Sequence, residues 1–93
     1  MNEQELYDWI LDNLEYRLEK SDMTDNKWCL FVGDYSGRGG RSIPIQYLED
    51  DRIDGLEEEV FGDYEYECED CDWEEFHEIF QDVFYDLVEE NRK

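Results

Sequence analysis

Acidic side chains dominate this 93-residue chain and limit what it can fold into. It carries 29 Asp and Glu against eight Lys and Arg, so its formal charge is -21. The imbalance is concentrated, because residues 53–91 contain no Lys or Arg while 17 acidic residues fall between Asp54 and Glu90. Like charges repel one another in a compact state, so a chain of this kind folds against its own field. The acidic load therefore points to a function that needs it.

The apolar content predicts a folded domain rather than an acidic disordered tail. Hydrophobic residues make up 40% of the chain and aromatic residues 16%, and they recur at helical and strand spacings that disordered acidic segments lack. A chain of this length buries one modest core. It has a single Pro, no linker rich in Gly and Ser, and no internal repeat. Residues 1–93 are therefore predicted to form one compact domain.

Two capping pairs predict a helix at each end of the chain. Asn2 with Glu5 precedes a first helix that should reach about Lys20, and Asp72 with Glu75 precedes the last helix. Apolar residues then recur every three or four positions, as on the buried face of a helix. The two stripes are Leu6, Ile10, Leu14 and Leu18 in the first helix, and Phe76, Phe80, Val83 and Leu87 in the last.

A hairpin is predicted in the middle of the first half. Residues 27–35 and 42–48 have the alternating apolar pattern of strands, and the glycine-rich residues 36–40 between them form a turn. Pro44 has no N–H to donate to a sheet ladder. The second strand of this hairpin should therefore lie at an edge of the sheet or carry a bulge.

The segment before the last helix predicts one short helix and a further strand. Residues 53–61 have helical spacing, with Gly62 as the expected end, and residues 63–69 alternate tyrosine or cysteine with glutamate at strand spacing. The predicted order is α-β-β-(α)-β-α. This order indicates an α+β fold, in which a small antiparallel sheet of about three strands, with a central hairpin, is packed by the N- and C-terminal helices.

Rows of carboxylates mark the predicted partner-binding surface. They lie on the outward face of the last helix and on the predicted strand beside it, where two tyrosines are interleaved. A solvated helix face usually mixes both signs of charge, and these rows do not. Tyrosine is a common interface anchor in polar surroundings, although ordinary use in a strand or a core explains these residues equally well. The predicted contact residues are Glu74, Glu78, Asp82 and Asp86 on the helix, and Glu65, Glu67, Glu69, Tyr64 and Tyr66 on the strand.

A second contact region is predicted around the one basic spot and the acidic runs that follow it. The glycine-rich turn carries arginines that could anchor in an acidic pocket of a partner, although a plain turn explains the glycines equally well. The glycine spacing fits neither a P-loop nor a dinucleotide fingerprint. The residues of this second region are Arg38, Arg41, Asp50, Asp51, Glu57 and Glu58.

No enzyme, metal or cofactor site is predicted. Cys68 and Cys71 form one CxxC, and with Cys29 and His77 they could supply the four ligands of a Cys3His zinc site. One CxxC is only half of a zinc knuckle, however, and the second half is missing. The acidic neighbours also disfavour a redox thiol pair, because catalytic thiols lie in electropositive surroundings. Cys29 and Cys68 are interpreted as small core residues, Cys71 as a residue near the start of a helix, and His77 as a surface or boundary residue.

The acid load, the small size and the aromatic content resemble those of small phage-encoded inhibitors that imitate DNA, among them the anti-CRISPR and anti-restriction proteins. Segments such as residues 57–59 and 63–67 carry this resemblance, which is one of composition. It implies a non-enzymatic inhibitor whose acidic faces occupy the nucleic-acid-binding groove of a basic protein, with a CRISPR–Cas effector as the favoured target. The alternative is an immunity or antitoxin protein that covers the active site of a basic nuclease toxin.

These expectations also concern location and assembly. The acidic N-terminus lacks the features of a signal peptide, no segment is long and apolar enough for a membrane span, and the odd number of cysteines suits a reducing compartment. A cytoplasmic protein is expected, in the host bacterium if a phage encodes it. It should bind a protein rather than nucleic acid or a membrane, as a monomer or a homodimer.

Overall fold

The described residues form three α-helices and a three-stranded antiparallel sheet, the α+β fold that the sequence predicts. The computed structural model describes residues 2–22, 25–33, 39–68 and 70–92. The elements in chain order are α1 (Glu3–Arg17), β1 (Glu19–Ser21), β2 (Lys27–Val32), β3 (Arg41–Pro44), a 3-10 turn (Ile45–Tyr47), α2 (Asp50–Glu67) and α3 (Trp73–Asn91).

The two terminal helices begin at the predicted caps. The Asn2 side chain accepts a hydrogen bond of 2.8 Å from the Glu5 N–H, and the Asp72 side chain accepts one of 3.0 Å from the Glu74 N–H. Helix α1 ends at Arg17 rather than near Lys20. The chain becomes extended there because the next residues, β1, pair with the central strand β2.

The third strand is therefore β1, and the strand predicted for residues 63–69 is wrong. Residues 63–67 are the last turns of α2, which continues through Gly62. Tyr64 extends the buried stripe of Leu56 and Val60 at four-residue spacing, so the helical period prevails over the local alternation. A glycine inside a helix costs only about 1 kcal/mol, whereas prolonging an existing helix adds a hydrogen bond with each residue.

The hairpin of β2 and β3 is shorter than predicted. Strand β3 ends at Pro44, where the chain enters the 3-10 turn, and it lies at the edge of the sheet as the proline requires. The β2–β3 connection needs glycine at its base: a Cβ on Gly33, which has φ +152°, would lie 2.2 Å from the Cα of Gly40. Residues 34–38, which include most of the predicted turn, are outside the described residues.

The core lies between the three helices and the sheet. It is formed by the predicted stripes of α1 and α3, the inner residues of α2, and Ile45 and Leu48 after β3. Asn91, at the end of α3, is 3% exposed and its amide makes two hydrogen bonds of 2.9 Å with the backbone N–H and C=O of Trp28. The end of α3 is thereby attached to the central strand.

Charge is divided unequally between the sheet region and the helices. Residues 18–48, which include the three strands, carry four acidic and four basic side chains. The whole formal charge of -21 therefore belongs to residues 1–17 and 49–93, which contain the three helices. Among the described residues, no helix combines the length and apolar character needed to cross a bilayer.

Candidate partner-binding surface

Helix α3 presents a row of carboxylates along its solvent side. Its apolar stripe is buried, and the four predicted contact residues at four-residue spacing are all exposed. We call these residues the α3 acidic row: Glu74, Glu78, Asp82 and Asp86. Glu74 lies in the first turn, where the helix dipole stabilises an anion. Glu78 and Asp82 lie beyond the first turn, so this local explanation does not apply to them.

The charge density of α3 is close to that of a nucleic-acid strand. The helix holds seven Asp and Glu residues and no Lys or Arg. Its 19 residues span about 28 Å at 1.5 Å per residue, which gives roughly one carboxylate per 4 Å of axis. One strand of B-DNA carries one phosphate per about 3.4 Å of axis. A groove that binds a DNA strand would therefore meet a similar linear density of negative charge along this helix.

The α3 acidic row continues onto α1 through Tyr7. The Tyr7 hydroxyl donates a hydrogen bond to Asp86. This bond, followed by burial and by the charges of Asp86, Asp82 and Asp8, raises the pKa of Tyr7 to about 12. The hydroxyl consequently keeps its proton at neutral pH and holds the Asp86 carboxylate in place. Carboxylates from two helices thus form one surface around it.

The contact residues that were predicted on a strand at 63–69 lie on helix α2 where the structure describes them as regular structure. Glu65 and Tyr66 are exposed on α2, and Glu67 accepts a hydrogen bond of 2.9 Å from the indole N–H of Trp9 on α1. Tyr7 and Trp9 lie on opposite sides of α1, because two residues correspond to about 200° of rotation. Glu67 therefore does not join the α3 acidic row. Glu69 is outside the described residues.

Tyr64 is a core residue, so of its two interpretations the structure supports core use and not partner contact. It is 7% exposed, its ring is stacked on Phe76 with centroids 5.4 Å apart, and it meets the Trp9 ring edge at 5.5 Å. Burial, followed by a hydrogen bond with Cys68, raises its pKa to about 12. Tyr64 connects the three helices, since its two aromatic partners belong to α3 and α1.

Glu57 is also buried, which corrects its predicted place in the second contact region. Its side chain is 3% exposed, and both carboxylate oxygens lie 2.8 Å from Nδ1 of His77 on α3. Loss of hydration raises the pKa of Glu57, while the bond to His77 and its charge act in the opposite direction. A helical reading of residues 53–64 could have found this residue, because position 57 shares a face with Val60 and Tyr64.

The rest of the second contact region lies near the start of α2. Asp50 and Asp51 are exposed in its first turn, where the helix dipole stabilises them, and Glu58 is exposed further along. A groove of about 670 Å³ between the sheet and α2 is lined by Asp51, Arg52 and apolar residues of β2. Arg52 also lines a smaller neighbouring groove with Arg41. Arg38 is outside the described residues.

Among the side chains that the structure describes, no group of three or more His, Cys, Asp or Glu is arranged to hold a metal ion. Cys29 is buried, and Cys68 and Cys71 are half-buried. The last two lie at the joint of α2 and α3, where the Cys71 thiol donates to the Cys68 carbonyl over 3.7 Å. They therefore line the helix joint.

Comparisons with known proteins leave the surface as the main guide to function. No protein-family model matches the chain. Searches of curated proteins and of solved structures found no match either.

Proposed function

We propose that this protein is a non-enzymatic inhibitor that imitates a nucleic acid. The acidic faces of its helices occupy the nucleic-acid-binding groove of a basic protein, and DNA or RNA is excluded by competition. The observation that carries the proposal is the charge of α3: seven carboxylates over 19 residues without one Lys or Arg. The concentration of the net charge on the helical segments supports a binding role. A surface that only faces water is stabilised more by acidic and basic side chains together than by acidic ones alone.

The proposed mechanism is electrostatic and requires no chemical step. A strongly anionic surface accelerates encounter with a cationic groove, and burial of the complementary charges then fixes the register of the complex. A CRISPR–Cas effector in the cytoplasm of a bacterial host is the favoured target. The α3 acidic row, continued by Asp8, is the proposed centre of the contact, with the protein acting as a monomer or a homodimer.

The direct experiment measures target-DNA binding by a purified Cas9-type effector–guide complex as the inhibitor is added. Anisotropy of a labelled DNA duplex should fall as the inhibitor displaces it, and excess DNA should reverse the effect. If this complex is unaffected, immobilised inhibitor is used to capture proteins from bacterial lysate, and each is tested for the same competition. Capture of a nuclease toxin blocked at its active site would favour the immunity alternative. Failure to compete with nucleic acid on any captured protein would contradict the proposal.

A pair of charge-reversal variants tests the surface itself. Glu74→Lys, Glu78→Lys and Asp82→Lys together should abolish competition. The control reverses Glu3, Glu15 and Asp22, which are exposed and outside the α3 acidic row. Both variants carry the same net charge, so slower long-range encounter affects them alike. Circular dichroism confirms that each is folded. Equal loss of competition in the two variants would show that total charge, and not α3, governs binding.

A further inference from the structure

The two most exposed aromatic side chains of the described residues lie on neighbouring helices. Tyr16 on α1 is 88% exposed and Tyr66 on α2 is 94% exposed, and neither packs against the core. Single exposed apolar residues are common and need no explanation. Two nearly free rings beside the same junction of helices are a different case, because the fold gains nothing from either.

The junction that they flank is held by polar bonds between α1 and α2. The Arg17 guanidinium forms an ion pair with Asp63, and the Trp9 indole donates to Glu67 over 2.9 Å. The position on α1 decreases as the position on α2 increases, so the two helices run antiparallel here. We call this junction the α1–α2 seam, formed by Trp9, Asp12, Tyr16 and Arg17 of α1 and by Glu59, Asp63, Tyr66 and Glu67 of α2.

Helical spacing places both tyrosines along this seam. Tyr16 follows Trp9 by seven residues, or two turns, and so lies on the same face of α1. Tyr66 follows Asp63 by three residues and is its neighbour on the surface of α2. Trp9 and Asp63 each bond to the other helix, so the face of α1 that carries Trp9 and the face of α2 that carries Asp63 are both directed toward the seam. Each ring therefore stands at the solvent side of a fixed, rather than a mobile, junction.

Helical spacing also places carboxylates beside the two rings. Asp12 precedes Tyr16 by one turn, while Glu59 and Asp63, with side chains 73% and 57% exposed, precede Tyr66 on its face of α2. Arg17 is the one cation among the described seam residues, and it is engaged with Asp63 and Glu59. The seam thus combines flat rings with a net negative charge, which is complementary to a cation that can both stack and bind carboxylates.

We propose that the α1–α2 seam binds arginine side chains of the partner in preference to lysine side chains. This inference rests on the proposed function and names the partner chemistry at a second surface, away from the α3 acidic row. A guanidinium stacks flat on a tyrosine ring and bonds a carboxylate with two parallel N–H groups, whereas an ammonium is compact and strongly hydrated. In a nucleic-acid-binding groove the same arginine meets bases and phosphates. In the proposed contact the tyrosine ring takes the place of a base, and the carboxylate takes the place of a phosphate.

The test compares oligo-arginine and oligo-lysine peptides of equal length by calorimetric titration of the whole protein at neutral pH. Equal peptide charge cancels the general attraction to an acidic chain. Both cations make cation–π contacts with exposed rings, but only a guanidinium stacks flat on a ring, so two rings should favour oligo-arginine roughly twofold to fivefold. The Tyr16→Ala/Tyr66→Ala variant should lose this preference, and its affinity for oligo-lysine should fall less than its affinity for oligo-arginine. The Tyr16→Phe/Tyr66→Phe variant keeps the rings and should retain the preference.

Two further tyrosines serve as controls, Tyr47 near Arg41 and Arg52, and Tyr85 on α3. Both are exposed, at 68% and 62%, and neither Tyr47→Ala nor Tyr85→Ala should change the ratio of affinities. Loss of the preference in Tyr85→Ala would move the arginine site to α3 and overturn the inference. Equal affinity of the wild type for the two peptides, or binding of neither, would also overturn it. The proposed function would remain to be judged by the α3 charge-reversal variants.

Discussion

Glu57 on α2 and His77 on α3 form a partly buried pair, with both oxygens of the carboxylate 2.8 Å from the same ring nitrogen. The carboxylate is almost fully enclosed, while the imidazole is half-exposed. Its ring is stacked on Trp73, with centroids 5.8 Å apart. Glu57 therefore connects α2 to α3, although it belongs to a strongly acidic helix whose other carboxylates are mostly exposed.

Removal of the histidine should therefore destabilise the fold. His77→Ala leaves the Glu57 carboxylate enclosed without its bonded partner, at a cost of about 1–3 kcal/mol in the free energy of unfolding. Adding Glu57→Gln to His77→Ala should recover part of this loss, because the enclosed charge is gone. Urea denaturation of the two single variants and the double variant measures the coupling. Strictly additive effects would show that the two side chains do not interact.

The same pair predicts a pH dependence. Because the pKa of Glu57 is raised above 4.5 in the fold, the folded state binds a proton more readily than the unfolded state does. At a pH below 4.5 the side chain is protonated in both states, so enclosing it carries no penalty for charge. The penalty then grows as pH rises from 4.5 through the raised pKa of the folded state. The stability of Glu57→Gln minus that of wild type should therefore increase as the solution goes from acidic to neutral. A difference that stays constant across this range would contradict the shift.

The attachment of α3 to the sheet predicts a large effect from a single amide. Asn91→Ala removes two hydrogen bonds and leaves the N–H and C=O of Trp28 without them, which should cost about 2–4 kcal/mol. The control is Arg92→Ala at the next position, where an exposed ion pair with Glu89 is lost. That change should cost less than about 1 kcal/mol. Thermal melting of both variants is the measurement, and similar costs would mean that Asn91 is not a structural anchor.

Salt should stabilise the protein. Screening by physiological salt reduces the Debye length to about 8 Å, which weakens repulsion among the helices. We expect the midpoint of thermal unfolding to rise between low and physiological concentrations of sodium chloride. The Glu3, Glu15 and Asp22 charge-reversal variant has fewer excess negative charges, so its midpoint should rise less. A wild-type midpoint that is insensitive to salt would show that the acidic rows are already compensated.

Tyr7 should make a pH-limited contribution to stability through its bond to Asp86. Tyr7→Phe should cost about 0.5–1.5 kcal/mol at neutral pH. Because the folded pKa is raised to about 12, this contribution is complete below 10.0 and declines as pH rises from there through the folded value. Denaturation of wild type and variant at neutral and alkaline pH measures the difference. Equal stability at neutral pH would mean that the bond contributes nothing.

The ends of the chain were easier to predict from sequence than its middle. The caps at Asn2 and Asp72 and the apolar stripes that follow them are local patterns, and both helices begin where these patterns place them. Strand β1 has no such pattern, since it exists only because it pairs with β2. Residues 63–67 fit both the two-residue period of a strand and the period of a helix. The helix is favoured because Tyr64 packs against Phe76, a contact that the local sequence does not reveal.

The site could be predicted only as far as the terminal helix. A periodic row opposite a strong apolar stripe must face solvent, and the α3 acidic row does. The acidic residues at 63–67 could not be sorted in the same way, because the assumed strand period assigned alternate residues to one face. Glu57 lies in the predicted helix 53–61, but only the longer helix aligns it with the buried Tyr64, and no local pattern pairs it with His77. The strand period assumed for residues 63–69 concealed the relationship between Tyr16 and Tyr66.

The balanced charge of the sheet region has a consequence for how the molecule arrives at a partner. With its net charge confined to the helical segments, the protein is an electric dipole as well as an anion. The field of a cationic surface would exert a torque on it and turn the helices forward before contact. Docking normally loses speed because two specific patches must meet in the right orientation. A molecule that rotates into register during its approach searches fewer orientations, so the balanced charge of the sheet region would speed the docking that we propose.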